Sequence, residues 1–130
     1  MFWLLTLAQA ACPDFPVALQ TLSDDGAAWL IRSDGSSYCL YRVSDLDDTT
    51  LIKAGEGPPP LQLLPLQEGV LAIGPRWMIV AWDQQSWRLP AILPIPARSA
   101  CVENGHLTVE ADGRRWVVPL QAPTGDLSCG

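Results

Sequence analysis

An all-β fold of antiparallel hairpins is what the sequence predicts, on three observations. Nowhere do apolar residues hold a helical period over about ten positions. Short runs rich in β-branched and aromatic residues alternate instead with clusters of Gly, Asp, Asn, Ser and Pro, the alternation of strands with turns. The stretch Val70–Leu89 shows both features most clearly. Its apolar runs Val70–Ile73 and Trp77–Trp82 flank Gly74-Pro75-Arg76, as in a β-hairpin. Trp77, Ile79 and Ala81 fall on one face of the second run, and Met78, Val80 and Trp82 on the other. A strand apolar on both faces is covered on both, so it belongs to a central layer.

In chain order, Val17–Leu22 is a first strand, and Ser23-Asp24-Asp25-Gly26 is turn material. A hairpin then pairs Ala27–Arg32 with Tyr38–Val43 across Ser33–Ser37. The acidic loop Ser44–Asp48 precedes a short apolar run, Thr50–Lys53. Gly55–Pro60 reads as a linker stiffened by its prolines. Leu61–Leu66 is an edge strand, because Pro65 lacks a ladder donor. The Val70–Trp82 hairpin follows, and Trp87-Arg88-Leu89 returns as a further strand after Asp83–Ser86. Beyond the proline-punctuated Pro90–Pro96, Ser99–Val102 feeds a last hairpin of His106–Glu110 with Arg115–Leu120.

The hairpins recur. Gly35, Gly74 and Gly113 stand 39 residues apart, and an aromatic follows three positions after each: Tyr38, Trp77 and Trp116. Upstream of each lies an acidic or amide residue before glycine, at Asp25-Gly26, Glu68-Gly69 and Asn104-Gly105. The chain therefore reads as three hairpin pseudo-repeats of about 39 residues. The run VLAIGPRWMIVAWD resembles the second and third strands of a β-propeller blade, and Trp82-Asp83 stands where WD repeats often carry that dipeptide. The Gly-His dipeptide of such repeats is missing, and three blades are too few to close a ring. The resemblance thus implies self-association, a longer parent chain, or another all-β form. A two-sheet sandwich and a β-trefoil are the alternatives; the Gln-x-Trp motif of the trefoil is matched once, at Gln85-Ser86-Trp87.

At 130 residues the chain makes one domain. It is 48% hydrophobic and only 17% charged, which argues for a filled interior and against disorder. The net charge of −6, with Lys53 the only lysine, excludes a phosphate-backbone partner: nothing basic clusters to release counterions. Residues 1–10 read as an export signal, with Phe2–Leu7 apolar and Ala8-Gln9-Ala10 fitting signal peptidase; 11–130 is then the single all-β domain. Gln9 stands where a lipobox carries leucine, against lipidation at Cys12. No segment is long and apolar enough to span a membrane. Cys12, Cys39, Cys101 and Cys129 make an even set, as in an exported, disulfide-bonded chain. Their spacings favour Cys12–Cys39 and Cys101–Cys129, with a Cys12–Cys129 clasp the rival. They fit no zinc knuckle.

Catalytic motifs are few. His106 is the only histidine, and its default place is the rim of a strand after Asn104-Gly105. There is no nucleophile elbow, P-loop, dinucleotide fingerprint or H-E-x-x-H. Asp45, Asp47 and Asp48 lack the glycine and closing glutamate of a calcium loop. No cofactor or metal is expected. Tryptophan is the residue type that points to binding, since it offers a flat apolar face and one donor. Trp29, Trp77 and Trp116 lie in paired strands and are expected in the core. Trp87, after a polar step and beside Arg88, is expected at the surface and Trp82 is expected to be intermediate; Trp87, Trp82 and Arg88 are the candidate contact residues. The reading is a non-catalytic extracytoplasmic binding or assembly module with a protein or carbohydrate partner, or a second copy of itself. A small secreted hydrolase and a truncated propeller fragment are the alternatives.

Overall fold

A computed structural model describes residues 12–45, 48–83 and 85–120, and these form three antiparallel sheets after a short 3-10 turn at Cys12–Asp14. The first sheet holds β1 (Val17–Leu22), β2 (Ala28–Ser33), β3 (Ser37–Asp45) and β4 (Asp48–Glu56) in that order. The middle sheet holds β5 (Gln62–Pro65), β6 (Gly69–Ile73), β7 (Trp77–Trp82) and β8 (Gln85–Pro90), again in order. The last is a three-stranded meander of β9 (Ser99–Glu103), β10 (His106–Ala111) and β11 (Arg114–Pro119). The all-β expectation holds. The described sheets are open and number three, which sets aside both the two-sheet sandwich and the barrel of a trefoil.

The middle sheet is central because its strands are apolar on both faces. Leu63, Val70, Ala72, Ile79 and Ala81 meet Trp29, Ile31, Tyr38 and Leu40 of the first sheet. From the opposite face Leu64, Leu71, Ile73, Met78 and Val80 meet Val102, Leu107 and Val109 of the last sheet. All five residues of β6 are buried, as are Met78 to Ala81 of β7. Each buried aliphatic side chain of this size contributes about 1.5–3 kcal/mol of transfer free energy, so the two cores dominate the stability.

The outer layers end differently. On the outer face of the first sheet, Cys39 and Tyr41 are buried under Cys12 and Phe15, and Cys12–Cys39 is a disulfide with Cα atoms 6.0 Å apart. On the last sheet Cys101, Thr108 and Val117 lie in cross-strand register on the face turned away from the core. Glu110 and Arg115 form an exposed ion pair there at 3.3 Å. Cys101 is disulfide-bonded; Cys129, its expected partner, and the expected signal at 1–10 lie outside the described residues.

The hairpins turn at Gly35, Gly74 and Gly113, all three turns falling at one end of the stack. The 39-residue spacing does not mark one structural position, however. The glycine is the middle residue of the first loop (34–36), the first of the second (74–76) and the last of the third (112–113). The aromatic column consequently splits: Tyr38 faces the middle sheet, whereas Trp77 faces back to the first and Trp116 back to the middle. Asn104-Gly105 and Asp112-Gly113 are two-residue loops with positive φ throughout (53° and 73°; 53° and 74°), the mirror-image turn that suits strand twist. Gly55, expected in a linker, instead extends β4 opposite Tyr38.

Cross-connections hold the layers in register. At the end opposite the hairpin glycines, the Asp24 and Asp25 amides donate to the Leu66 and Gln67 carbonyls, joining the first two sheets. Between the middle and last sheets, Gln62 donates to the Ala97 carbonyl and accepts from the Ala97 amide, both at 2.8 Å. That amide side chain replaces a backbone ladder pair along the proline-rich crossover.

Candidate binding surface

Trp82 and Trp87 come together. Trp82 ends β7 and packs against the core between the middle and last sheets. Trp87 lies opposite Val80 on β8, so its side chain takes the same face as Trp82. Their rings stack 4.1 Å apart with planes 10° from parallel. Trp87 is half-buried, joins neither buried core, and stacks on the Trp82 ring. The unit is thus a rigid indole shelf, one ring anchored and the other laid over it. On the same face of β8, two residues before Trp87, stands exposed Gln85.

Arg88 is elsewhere. Successive strand residues point to opposite faces, so Arg88 sits across from Ile79 on the side toward the first sheet. Its guanidinium lies 4.5 Å from the centroid of the Trp77 ring. Trp77 in turn stacks on Tyr38 at 5.9 Å and 9°. This three-membered ladder fills the rim between the first and middle sheets. Two glycines make room for it: a Cβ on Gly55 would strike the Tyr38 ring, and one on Gly74 the Trp77 ring. Burial raises the Tyr38 phenol above its usual pKa, opposed by the positive charge of Arg88. The Tyr38 hydroxyl nevertheless makes no hydrogen bond of regular geometry. Arg88 therefore has a structural role here rather than a place on the Trp82–Trp87 shelf.

The other tryptophans divide as well. Trp29 is 0% exposed; its Nε1 donates to Ser23 Oγ at 3.2 Å, and Arg42 lies over its ring at 5.8 Å. Trp77 and Trp116 are half-buried at the rims of the two cores. His106 is exposed, with Nδ1 2.9 Å from the carbonyl oxygen of Asn104, in a local turn contact. Asp34 has a lowered pKa because its carboxylate accepts the Ser36 and Ser37 amides, each at 2.8 Å. It shapes a turn. Of the acidic-loop residues, Asp48 accepts from Ser44, Asp47 and the Asp45 side chain lie outside the description, and no metal-ligand cluster occurs among the described residues.

One hollow escaped the sequence reading. A groove of about 390 Å³ beside the Cys12–Cys39 disulfide is lined by Phe15, Ser37, Tyr38, Ala54, Gly55 and Glu56. Its one ionisable group open to solvent is Glu56, and a lone carboxylate supplies neither a general acid–base pair nor an activated nucleophile. The β3–β4 register, which pairs Ser37 with Glu56 and Tyr38 with Gly55, and the Cys12–Cys39 disulfide bring these residues together, and no local motif encodes that.

Among the described residues no helix is long and apolar enough to cross a membrane, and the intramolecular disulfide fits an extracytoplasmic location. Comparison with known proteins finds no matching family model, curated sequence or solved structure.

Proposed function

We propose that the protein is a non-catalytic binding module acting outside the cytoplasm, with the face around Trp87 as its contact surface. The observation that carries the reading is the stack itself: an indole held parallel to Trp82 at 4.1 Å and packed on neither core. A large ring left partly exposed forgoes burial it could have had in the core, and tryptophan is the residue most enriched among binding hot spots. Both ends of the sheet stack support a free-standing module over a propeller fragment. The first sheet carries Cys12 and Phe15 over its outer face, and the last presents Thr108, Glu110 and Arg115 around a single exposed valine, Val117. The compartment rests on the Cys12–Cys39 disulfide and the apolar run before Ala8-Gln9-Ala10. His106, exposed and turned to its own loop, gives the hydrolase alternative no support.

The test is photo-cross-linking in cells that export the full chain. A benzophenone side chain, which attacks C–H bonds of proteins and glycans alike, replaces Gln85 beside the shelf or Glu110 on the last sheet. Adducts at position 85 and none at 110 are expected. No adduct at 85, or equal adducts at both, overturns the proposal.

A further inference from the structure

We infer that the Trp87 face takes a neutral, β-1,4-linked hexopyranose chain, of the glucose or N-acetylglucosamine type, stacked on the indole; this rests on the reading of that face as a binding surface. A pyranose with equatorial substituents has a flat face of axial C–H groups and a rim of hydroxyls. The flat face is complementary to an indole, and the rim needs hydrogen-bonding partners. Trp87 supplies the first. Its ring is already fixed on Trp82, 10° from parallel, so little side-chain freedom remains to be lost on binding. Gln85 supplies the second. It lies on the same strand face, exposed, and its amide makes no hydrogen bond within the described protein, leaving donors and an acceptor for a hydroxyl.

The surroundings favour a sugar over a protein partner. Protein hot spots sit inside a wider patch that excludes water, and the large exposed apolar residues here lie elsewhere. Leu61, Ile92 and Ile95 belong to the inter-sheet crossovers at the hairpin-glycine end, Val17 and Leu22 to β1, and Val117 to the outer face of the last sheet. Along β8 the shelf is flanked on one side by exposed Gln85, next to the turn residue Asp83, and on the other by Leu89, which is packed on the core. Charge narrows the ligand further. Arg88, the nearest cation in sequence, points to the opposite face, and the chain carries −6 overall, so neither favours an anionic glycan.

The experiment follows the indole N–H signals of tryptophan-labelled protein during titration with cellohexaose and with chitohexaose. The Trp87 signal is identified from the spectrum of Trp87→Phe. A saturable shift of that signal with at least one oligosaccharide is expected. Trp87→Ala should weaken binding about tenfold or more while the other indoles keep their positions, and Gln85→Ala should weaken it by a smaller factor. No shift with either oligosaccharide, or binding that survives Trp87→Ala, overturns the inference. If a protein adduct still forms at position 85, the sugar assignment fails and the surface stands. If neither response occurs, both fail.

Discussion

Gly74 and Trp77 offer the sharpest test of how the layers are held. Gly35 and Gly113 occupy left-handed backbone at φ 94° and 74°, where a side chain is strained, but Gly74 has no positive φ. Its backbone would accept alanine, and the obstacle is the Trp77 ring lying where the Cβ would go. Gly74→Ala should therefore drive the ring out of its stack. The ring would lose its pairing with Tyr38, worth about 0.5–1.5 kcal/mol, and its contact with Arg88, worth about 0.5–1 kcal/mol. Alanine returns about 0.4–1 kcal/mol by restricting the unfolded chain. A net loss centred on about 1 kcal/mol, within a range of about 0–2 kcal/mol, is expected. Trp77→Ala alone should cost about 2–3 kcal/mol, below the range for a fully buried tryptophan because Trp77 is half-buried.

The double variant is decisive. With no ring to strike, Gly74→Ala becomes neutral or slightly stabilising, so the pair should be no worse than Trp77→Ala alone. Urea unfolding of all four proteins, with slopes compared to confirm two-state behaviour, gives the coupling directly. Additive losses would refute the ring-contact account.

Three further outcomes are expected. Trp29→Ala, which empties a fully buried site and strips Ser23 Oγ of its indole donor, should cost about 3–5 kcal/mol by chemical denaturation. Cys12→Ser opens a crosslink of sequence separation 27, so the unfolded chain regains entropy worth about 3.5 kcal/mol; maleimide labelling of the parent should find no free thiol among Cys12, Cys39 and Cys101. Tyr38→Phe removes a buried hydroxyl that makes no hydrogen bond of regular geometry and should leave stability unchanged or raised by up to about 1 kcal/mol. It should also flatten the alkaline limb of the stability profile. A raised phenol pKa contributes stability that is present below the ordinary tyrosine value of 10.0 and lost as pH climbs through the folded value. Melting curves between neutral and alkaline pH check this.

Strand positions were legible wherever burial imposes a pattern. Val17–Leu22 and Trp77–Trp82 match β1 and β7 residue for residue, and the two apolar faces of Trp77–Trp82 identified the middle layer, because only a strand covered on both sides affords two such faces. Turns were legible where backbone chemistry is restrictive, as at Asn104-Gly105 and Asp112-Gly113. The turn at Gly74 was legible too, but the demand for glycine at Gly55 and Gly74 was not, because it comes from a ring on a neighbouring strand or beyond the loop. The same contact explains why Gly35 and Gly74 share a sequence column without sharing a role.

The candidate surface shows the same division between local and tertiary information. That Trp87 and Arg88 cannot share a face follows from strand alternation alone, and applying that rule to Gln85–Pro90 separates them without any coordinates. The same rule places Gln85, Trp87 and Leu89 together. Which of these reaches solvent is a tertiary matter. Leu89 packs against the core between the middle and last sheets, whereas Trp87 rests on Trp82 and joins no core. The stack is made by the tight turn at Asp83, which returns β8 so that Val80 faces Trp87 and brings Trp82 to its diagonal neighbour. A one-residue slip of that register would turn Trp87 toward the first sheet and Arg88 onto the shelf, exchanging their roles. The indole stack is therefore specified by the turn as much as by the indoles.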